Sequence, residues 1–240
     1  MNIYDLIIHD QPTIQLENIF LPGQNRQAIQ QLIKEHRFIH ALHQYGLPVN
    51  NKLLLFGSSG CGKTTTAKGI AGAMNKPLMI LNLSNVVCPR IGETAQNIKS
   101  VFDKAAREGA VLFLDEFDQI GKARSDDDKD VGEMRRLVNT LIQLIDYYPE
   151  KSLLICATNH IEMIDAAILR RFQLRIRFEM PGTKELDNYY EQLLAPFPPH
   201  LQQINRAYNI SFAEAKDTAF TQVKSRLIAE LELQATMAEV

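Results

Sequence analysis

The run Gly57-Ser58-Ser59-Gly60-Cys61-Gly62-Lys63-Thr64 has the residue types and spacing that polyphosphate binding needs. Gly57, Gly62, Lys63 and Thr64 meet every fixed position of the pattern G-x-x-x-x-G-K-[ST]. Glycines let backbone N–H groups turn toward an anion, a helix N-terminus adds its positive end, and Lys63 supplies a mobile point charge. Thr64 would place its hydroxyl on Mg2+, and Thr65 completes the residues expected around the phosphates.

A second set of groups lies downstream. The apolar run Val111-Leu112-Phe113-Leu114 ends in Asp115-Glu116. Neighbouring side chains on a strand diverge, so the two carboxylates do different jobs. Asp115 can hold Mg2+ beside Thr64, and Glu116 can accept a proton from a water attacking a terminal phosphate.

These groups need a scaffold, and the hydrophobic pattern outlines one. Leu53–Phe56 leads into the glycine-rich loop, and Thr65–Met74 follows it as a helix. A strand at Leu78–Leu81, a helix at Thr94–Arg107, the strand at Val111–Leu114 and a helix at Gly132–Tyr147 come next. Strands at Ser152–Ala157 and Leu174–Phe178 follow. Repeated strand–helix units predict an α/β fold with a parallel sheet flanked by helices. Residues 1–24 read as a loop-rich approach with an extended piece at Leu16–Leu21, placed to wall a nucleotide base. One helix is expected from Gln24 to Tyr45, stopped by Gly46. After Pro181-Gly182, helical patterns at Thr183–Leu194 and Ser211–Ala238 predict a small all-helical unit. Asp126–Asp130 reads as a solvated loop.

Composition narrows the function classes. The 240 residues carry a formal charge of -2, which gives nucleic acid no general electrostatic hold. No apolar run approaches the ~20 residues of a membrane span. Cys61, Cys88 and Cys156 are irregularly spaced, which favours free thiols in a reducing compartment, the cytoplasm. Cys61, at a helix N-terminus, is expected to lean toward thiolate, so that its alkylation would block nucleotide binding. His36, His40 and His43 share part of a helix face, but no carboxylate completes a metal-ligand spacing, and a packing or solvated role is expected.

With these pieces in order, the chain resembles the AAA+ ATPases from about Leu16 to the C-terminus. The resemblance rests on the phosphate loop (Walker A), Leu112–Glu116 (Walker B), Ala157-Thr158-Asn159, Ile168-Leu169-Arg170-Arg171-Phe172 and Asn209–Glu214. It implies that Asn159 positions the attacking water and that Arg170 and Arg171 reach a neighbouring subunit's γ-phosphate. The arginine spacing is similar to that of the clade of katanin and spastin and of small stand-alone bacterial members. Asn209 stands where the family has glycine and is expected in left-handed backbone. Ala213 stands where other branches carry a lid arginine. In the pore loop the family's aromatic, aliphatic and glycine positions correspond to Arg90, Ile91 and Gly92, with arginine replacing the aromatic.

The resemblance therefore implies an AAA+ module with a large nucleotide-binding domain over residues 1–180 and a helical lid over 181–240. ATP and Mg2+ are the expected cofactors, and the catalytic set is Glu116, Asn159, Arg170 and Arg171. The chain would form a homo-oligomeric ring, a hexamer, that remodels or unfolds a protein partner by engaging an extended segment in its pore. The stand-alone relatives allow a HORMA-type or protease-associated partner. A nucleic-acid loader or transposition helper and a nucleotide-switched scaffold are the competing classes.

Overall fold

The computed structural model describes residues 7–10, 14–85, 91–119 and 128–238, with the backbone alone for 85, 91–93, 128–135 and 237–238. The apolar runs become strands: β1 (Ile7–Asp10), β2 (Lys52–Gly57), β3 (Leu78–Asn82), β4 (Val111–Asp115), β5 (Leu153–Thr158) and β6 (Leu174–Phe178). They form one six-stranded sheet in the order β1-β3-β4-β5-β2-β6. Leu53–Leu55, Val111–Leu114 and Leu153–Ala157 are buried on both faces, which is why these strands read as unbroken apolar runs. β6, with Leu174 and Arg175 to Phe178 alternating inward and outward, is an edge strand. All neighbouring pairs are parallel except β1 and β3.

β1 differs from the sequence expectation of a loop-rich approach over residues 1–24. Its pairing with β3 is a long-range contact, and Asp10 is tied to Lys68 at 2.7 Å. The extended piece expected at Leu16–Leu21 is instead a 3-10 turn at Leu16–Asn18. A 3-10 turn eclipses positions three apart, so Leu16 and Ile19 both become buried and approach Gly69, where an added Cβ would come within 2.5 Å of Ile19 Cδ1. Arg26 holds the turn by donating to the carbonyls of Leu16 at 3.1 Å and Ile19 at 2.6 Å.

The helices are α1 (Gly23–Arg37), α2 (Ile39–Gln44), α3 (Lys63–Ala73), α4 (Ile91–Glu108), α5 (Asp128–Asp146), α6 (Ala166–Leu169), α7 (Thr183–Leu194) and α8 (Phe212–Ala238). The single helix expected over 24–45 is interrupted at Phe38, whose backbone leaves the helical region at φ -107° and ψ 21°. Gly46, at φ 70°, ends α2 as anticipated. Asp128–Asp130 open α5 and are not the expected loop, since acidic residues suit the positive end of a helix. Asp126 and Asp127 lie outside the described residues. None of the helices in the described residues is long and apolar enough to cross a membrane.

The chain divides into two compact units, Met1–Gly57 with Lys63–Phe178, and Ser58–Gly62 with Glu179–Val240. The first has its core between the sheet and α4, α5 and α6, with edge-to-face pairs Phe102–Tyr148 and Phe117–Phe172. The second packs Leu186, Tyr190 and Leu194 of α7 against Ala215, Ala219 and Val223 of α8. Asn209 adopts φ 60°, the left-handed backbone expected of it. A reciprocal capping box then starts α8: Ser211 N–H donates to Glu214 Oε2 at 2.8 Å, and Glu214 N–H donates to Ser211 Oγ at 3.3 Å.

Candidate active site

β2, β4 and β5 run parallel, so Gly57, Asp115 and Asn159 emerge at the same edge of the sheet, where α/β folds bind ligands. Gly57 closes β2 with φ 122°, and a Cβ there would collide with the Phe178 carbonyl. Only glycine satisfies both conditions. Gly62, at φ 100°, has no atom within 4 Å of the position a Cβ would take, so its face is open for close approach of a ligand.

Lys63 begins α3, and its side chain is nearly sealed, at 8% exposure. Its ammonium donates to the Gly57 carbonyl at 2.8 Å and to Asn159 Oδ1 at 2.7 Å. Thr64 donates its hydroxyl to Asp115 Oδ2 at 3.2 Å, and the Glu116 N–H donates to Asp115 Oδ1 at 2.9 Å. Desolvation pushes the Asp115 carboxyl above its ordinary range, against the pull of those two hydrogen bonds. Glu116 sits in left-handed backbone at φ 53°, an outlier for a non-glycine residue. Thr65, on α3, is exposed.

Hydrogen bonds absent from the sequence reading stitch the ends of β4 and β5 together. Phe117 N–H donates to the Ala157 carbonyl at 2.8 Å. Thr158 Oγ1 donates to Asp118 Oδ1 at 2.8 Å and accepts the His160 N–H at 2.9 Å. Asp118 and Thr158 are far apart in sequence, and no local spacing announces their contact. The available signal is that both are polar residues beside apolar strand ends.

The two arginines behave differently. Asp165 caps α6 by accepting the Ala167 N–H at 2.7 Å, and Arg170 and Arg171 follow that helix. Arg171 donates to Asp146 Oδ1 at 3.2 Å and to the Ala167 carbonyl at 2.6 Å. Arg170 is exposed, and among the described residues its side chain makes no hydrogen bond or ion pair.

The loop arc Ser58–Gly62 groups with the C-terminal unit. Within that unit the Gly60 carbonyl accepts the Ala213 N–H at 3.1 Å, and a Cβ on Gly60 would meet Ser211 Oγ at 2.5 Å. Ser59 is exposed and Ser58 half-buried. The expected reactive Cys61 needs correction: it is 2% exposed, its thiol donating to the Ser59 carbonyl at 3.4 Å and lying 3.8 Å from Met180 Sδ. Burial denies reagents the access that thiolate chemistry requires. Arg90 lies outside the described residues, and Ile91 and Gly92 form the first backbone positions of α4. Of the histidines on α1 and α2, His36 Nε2 donates to the Asn50 carbonyl at 2.9 Å and His43 pairs with Glu150 at 2.7 Å, while His40 is exposed.

The donor set fits the expected cofactors. Thr64 and Asp115 bring hydroxyl and carboxylate oxygens together, the hard ligands Mg2+ takes. A desolvated carboxylate at that point is stabilised by a cation.

Comparison with known proteins agrees with this geometry. Residues 53–180 match the family described as "ATPase family associated with various cellular activities (AAA)". The chain belongs to that family, and it is an ATP hydrolase. It is 33% identical over 227 residues to "Uncharacterized AAA family ATPase y4kL" of Sinorhizobium fredii, covering 93% of this chain and 68% of that one. It is 26% identical over 222 residues to the "ATP-dependent zinc metalloprotease FtsH" of Sulfurovum sp., covering 89% of this chain. The match spans 32% of that FtsH, so the chain corresponds to about a third of that relative's length. Among solved structures, the FIGL-1 AAA domain superposes with a TM-score of 0.71 at 20% identity, covering 90% of this chain and 75% of that one, which shows the same fold.

Proposed function

We propose that this ATPase works as a homo-oligomeric ring, a hexamer, in which Mg-ATP hydrolysis remodels a protein partner drawn as an extended segment into the central pore. In this reading a large nucleotide-binding domain spans residues 1–180 and a helical lid residues 181–240. Backbone N–H groups from Gly57 through Gly62 cradle the phosphates, and Lys63 donates to them. Thr64 and Asp115 hold Mg2+, which when bound neutralises charge on the phosphate oxygens. Glu116 accepts the proton of the attacking water, and Asn159 orients that water. Arg170 and Arg171 belong to the neighbouring protomer's site, and Arg90, Ile91 and Gly92 face the pore.

The observation that supports assembly is the contrast at the arginine pair. Arg171 is anchored within its own chain, whereas Arg170 is an exposed guanidinium with no partner among the described residues. A guanidinium supplied from a second subunit stabilises transition-state charge only once the ring has formed. The free thiols Cys61 and Cys156 suit a reducing compartment, and the cytoplasm is the proposed location.

The test is a Glu116→Gln trap loaded with ATP in native lysate, with an ADP control and mass spectrometry of the captured material. Protein captured with ATP and absent from the ADP control supports remodelling. Nucleic acid captured in its place would assign the chain to a loader. An ATP-bound ring that turns over no nucleotide as the unmodified protein would make it a scaffold.

A further inference from the structure

The groups proposed to handle the attacking water lie on separate segments, Glu116 after β4 and Asn159 after β5. A buried side-chain hydrogen bond joins those segments: Thr158 Oγ1 donates to Asp118 Oδ1 at 2.8 Å. Thr158 is 1% exposed and Asp118 3%, so water cannot substitute for either partner. A bond from hydroxyl to buried carboxylate is charge-assisted, and neither group can exchange it for bulk water.

The geometry extends the link to the two functional side chains. With its proton committed to Asp118, Thr158 Oγ1 presents a lone pair to the His160 N–H at 2.9 Å. That closes a turn of the kind Ser and Thr hydroxyls stabilise, with Asn159 at its centre. Asn159 Oδ1 in turn accepts from Lys63 at 2.7 Å. On the other segment, the Phe117 N–H bond to the Ala157 carbonyl at 2.8 Å follows directly on the left-handed Glu116. Glu116 and Asn159 are thus each flanked by bonds that tie one strand end to the other.

We infer that Asp118 and Thr158 are positioning residues for ATP hydrolysis, holding Asn159 in register with Glu116 through their mutual hydrogen bond. This rests on the reading of Glu116 and Asn159 as the groups that handle the water. Thr158→Val keeps the shape and removes both bonds made by the hydroxyl. Thr158→Ser keeps both, and Asp118→Asn keeps an acceptor but loses the charge.

The experiment compares these variants of the full chain in steady-state Mg-ATP turnover and in binding of a fluorescent ADP, at a temperature where circular dichroism shows each to be folded. Thr158→Val should lower kcat by about tenfold or more with ADP affinity nearly unchanged, as expected when a hydrolytic group loses its orientation. Thr158→Ser should restore kcat. Groups acting as one unit are non-additive, so Thr158→Val should cost little further in an Asn159→Ala background. Turnover of Thr158→Val close to the unsubstituted rate, parallel loss of kcat and ADP affinity, or full additivity with Asn159→Ala would each overturn the inference. Should Thr158→Val fail to fold, Thr158→Ala, which also removes the hydroxyl, carries the test, and an unchanged kcat there overturns it. If Asn159→Ala itself turns over normally, the underlying reading of Asn159 fails. A defect in Asn159→Ala without one in Thr158→Val refutes the positioning role alone.

Discussion

The Lys63 ammonium lies 2.7 Å from Asn159 Oδ1, so the cation of the phosphate loop and the polar residue after β5 are in direct contact. Any phosphate that recruits Lys63 competes with that amide. Asn159→Ala removes the competitor together with the group proposed to orient water. Nucleotide affinity should hold or rise slightly, while kcat falls about 10²-fold. Titration with fluorescent ADP alongside steady-state turnover separates the two effects.

Arg170 and Arg171 should respond differently to truncation. Arg170→Ala removes no hydrogen bond or ion pair among the described residues, so the melting temperature should stay nearly unchanged while turnover of the assembled protein falls about 10³-fold. Arg171→Ala breaks the tie to Asp146 and the bond to the Ala167 carbonyl. It should also lower stability, by about 1 kcal/mol or less because that ion pair is partly solvated. Denaturant unfolding of both variants, set beside their ATPase rates, checks the contrast. Equal destabilisation by the two substitutions would remove the distinction.

Gly57→Ala and Gly23→Ala should move stability in opposite directions. At Gly57 an added Cβ meets the Phe178 carbonyl in backbone of φ 122°, and the cost should be at least about 2 kcal/mol. At Gly23, the first residue of α1, nothing lies within 4 Å of that position. The smaller unfolded-state entropy should then add about 0.5 kcal/mol. Urea midpoints measured without nucleotide test both.

His36 gives stability a pH dependence. Burial, followed by the nearby Lys76 charge, lowers its pKa from 6.5, while the Asn50 carbonyl and Glu35 pull the other way. The folded state therefore favours neutral imidazole, and below that ordinary value the unfolded chain binds the extra proton. Stability is fully present above about pH 6.5 and declines as pH falls from there toward the lowered folded value. His36→Gln should flatten this part of the profile. A slope identical in the variant would assign the effect to other groups.

The buried strands were legible because each is covered on both faces and needs an unbroken apolar run, as in Leu53–Leu55 and Val111–Leu114. The phosphate loop was legible because its chemistry is local, packed into consecutive residues. β1 was not: a four-residue edge strand interrupted by His9 and Asp10 is defined by its partner β3, not by its own pattern. The 3-10 turn at Leu16–Asn18 follows from packing on Gly69, and the Asp118–Thr158 bond from the adjacency of β4 and β5. Both depend on tertiary neighbours that local periodicity does not encode. The burial of Cys61 has the same origin, since a helix N-terminus predicts charge preference and says nothing of access.

The left-handed backbone of Glu116 sets a trap for thermostability engineering. A side chain there carries a conformational penalty of about 1 kcal/mol that glycine would escape and asparagine would soften. A selection scored by heat resistance alone would therefore favour Glu116→Gly or Glu116→Asn, and each round of enrichment would discard the carboxylate. Libraries built on this scaffold should keep position 116 fixed, and any heat-tolerant isolate altered there should be assayed for ATP turnover before it is carried forward.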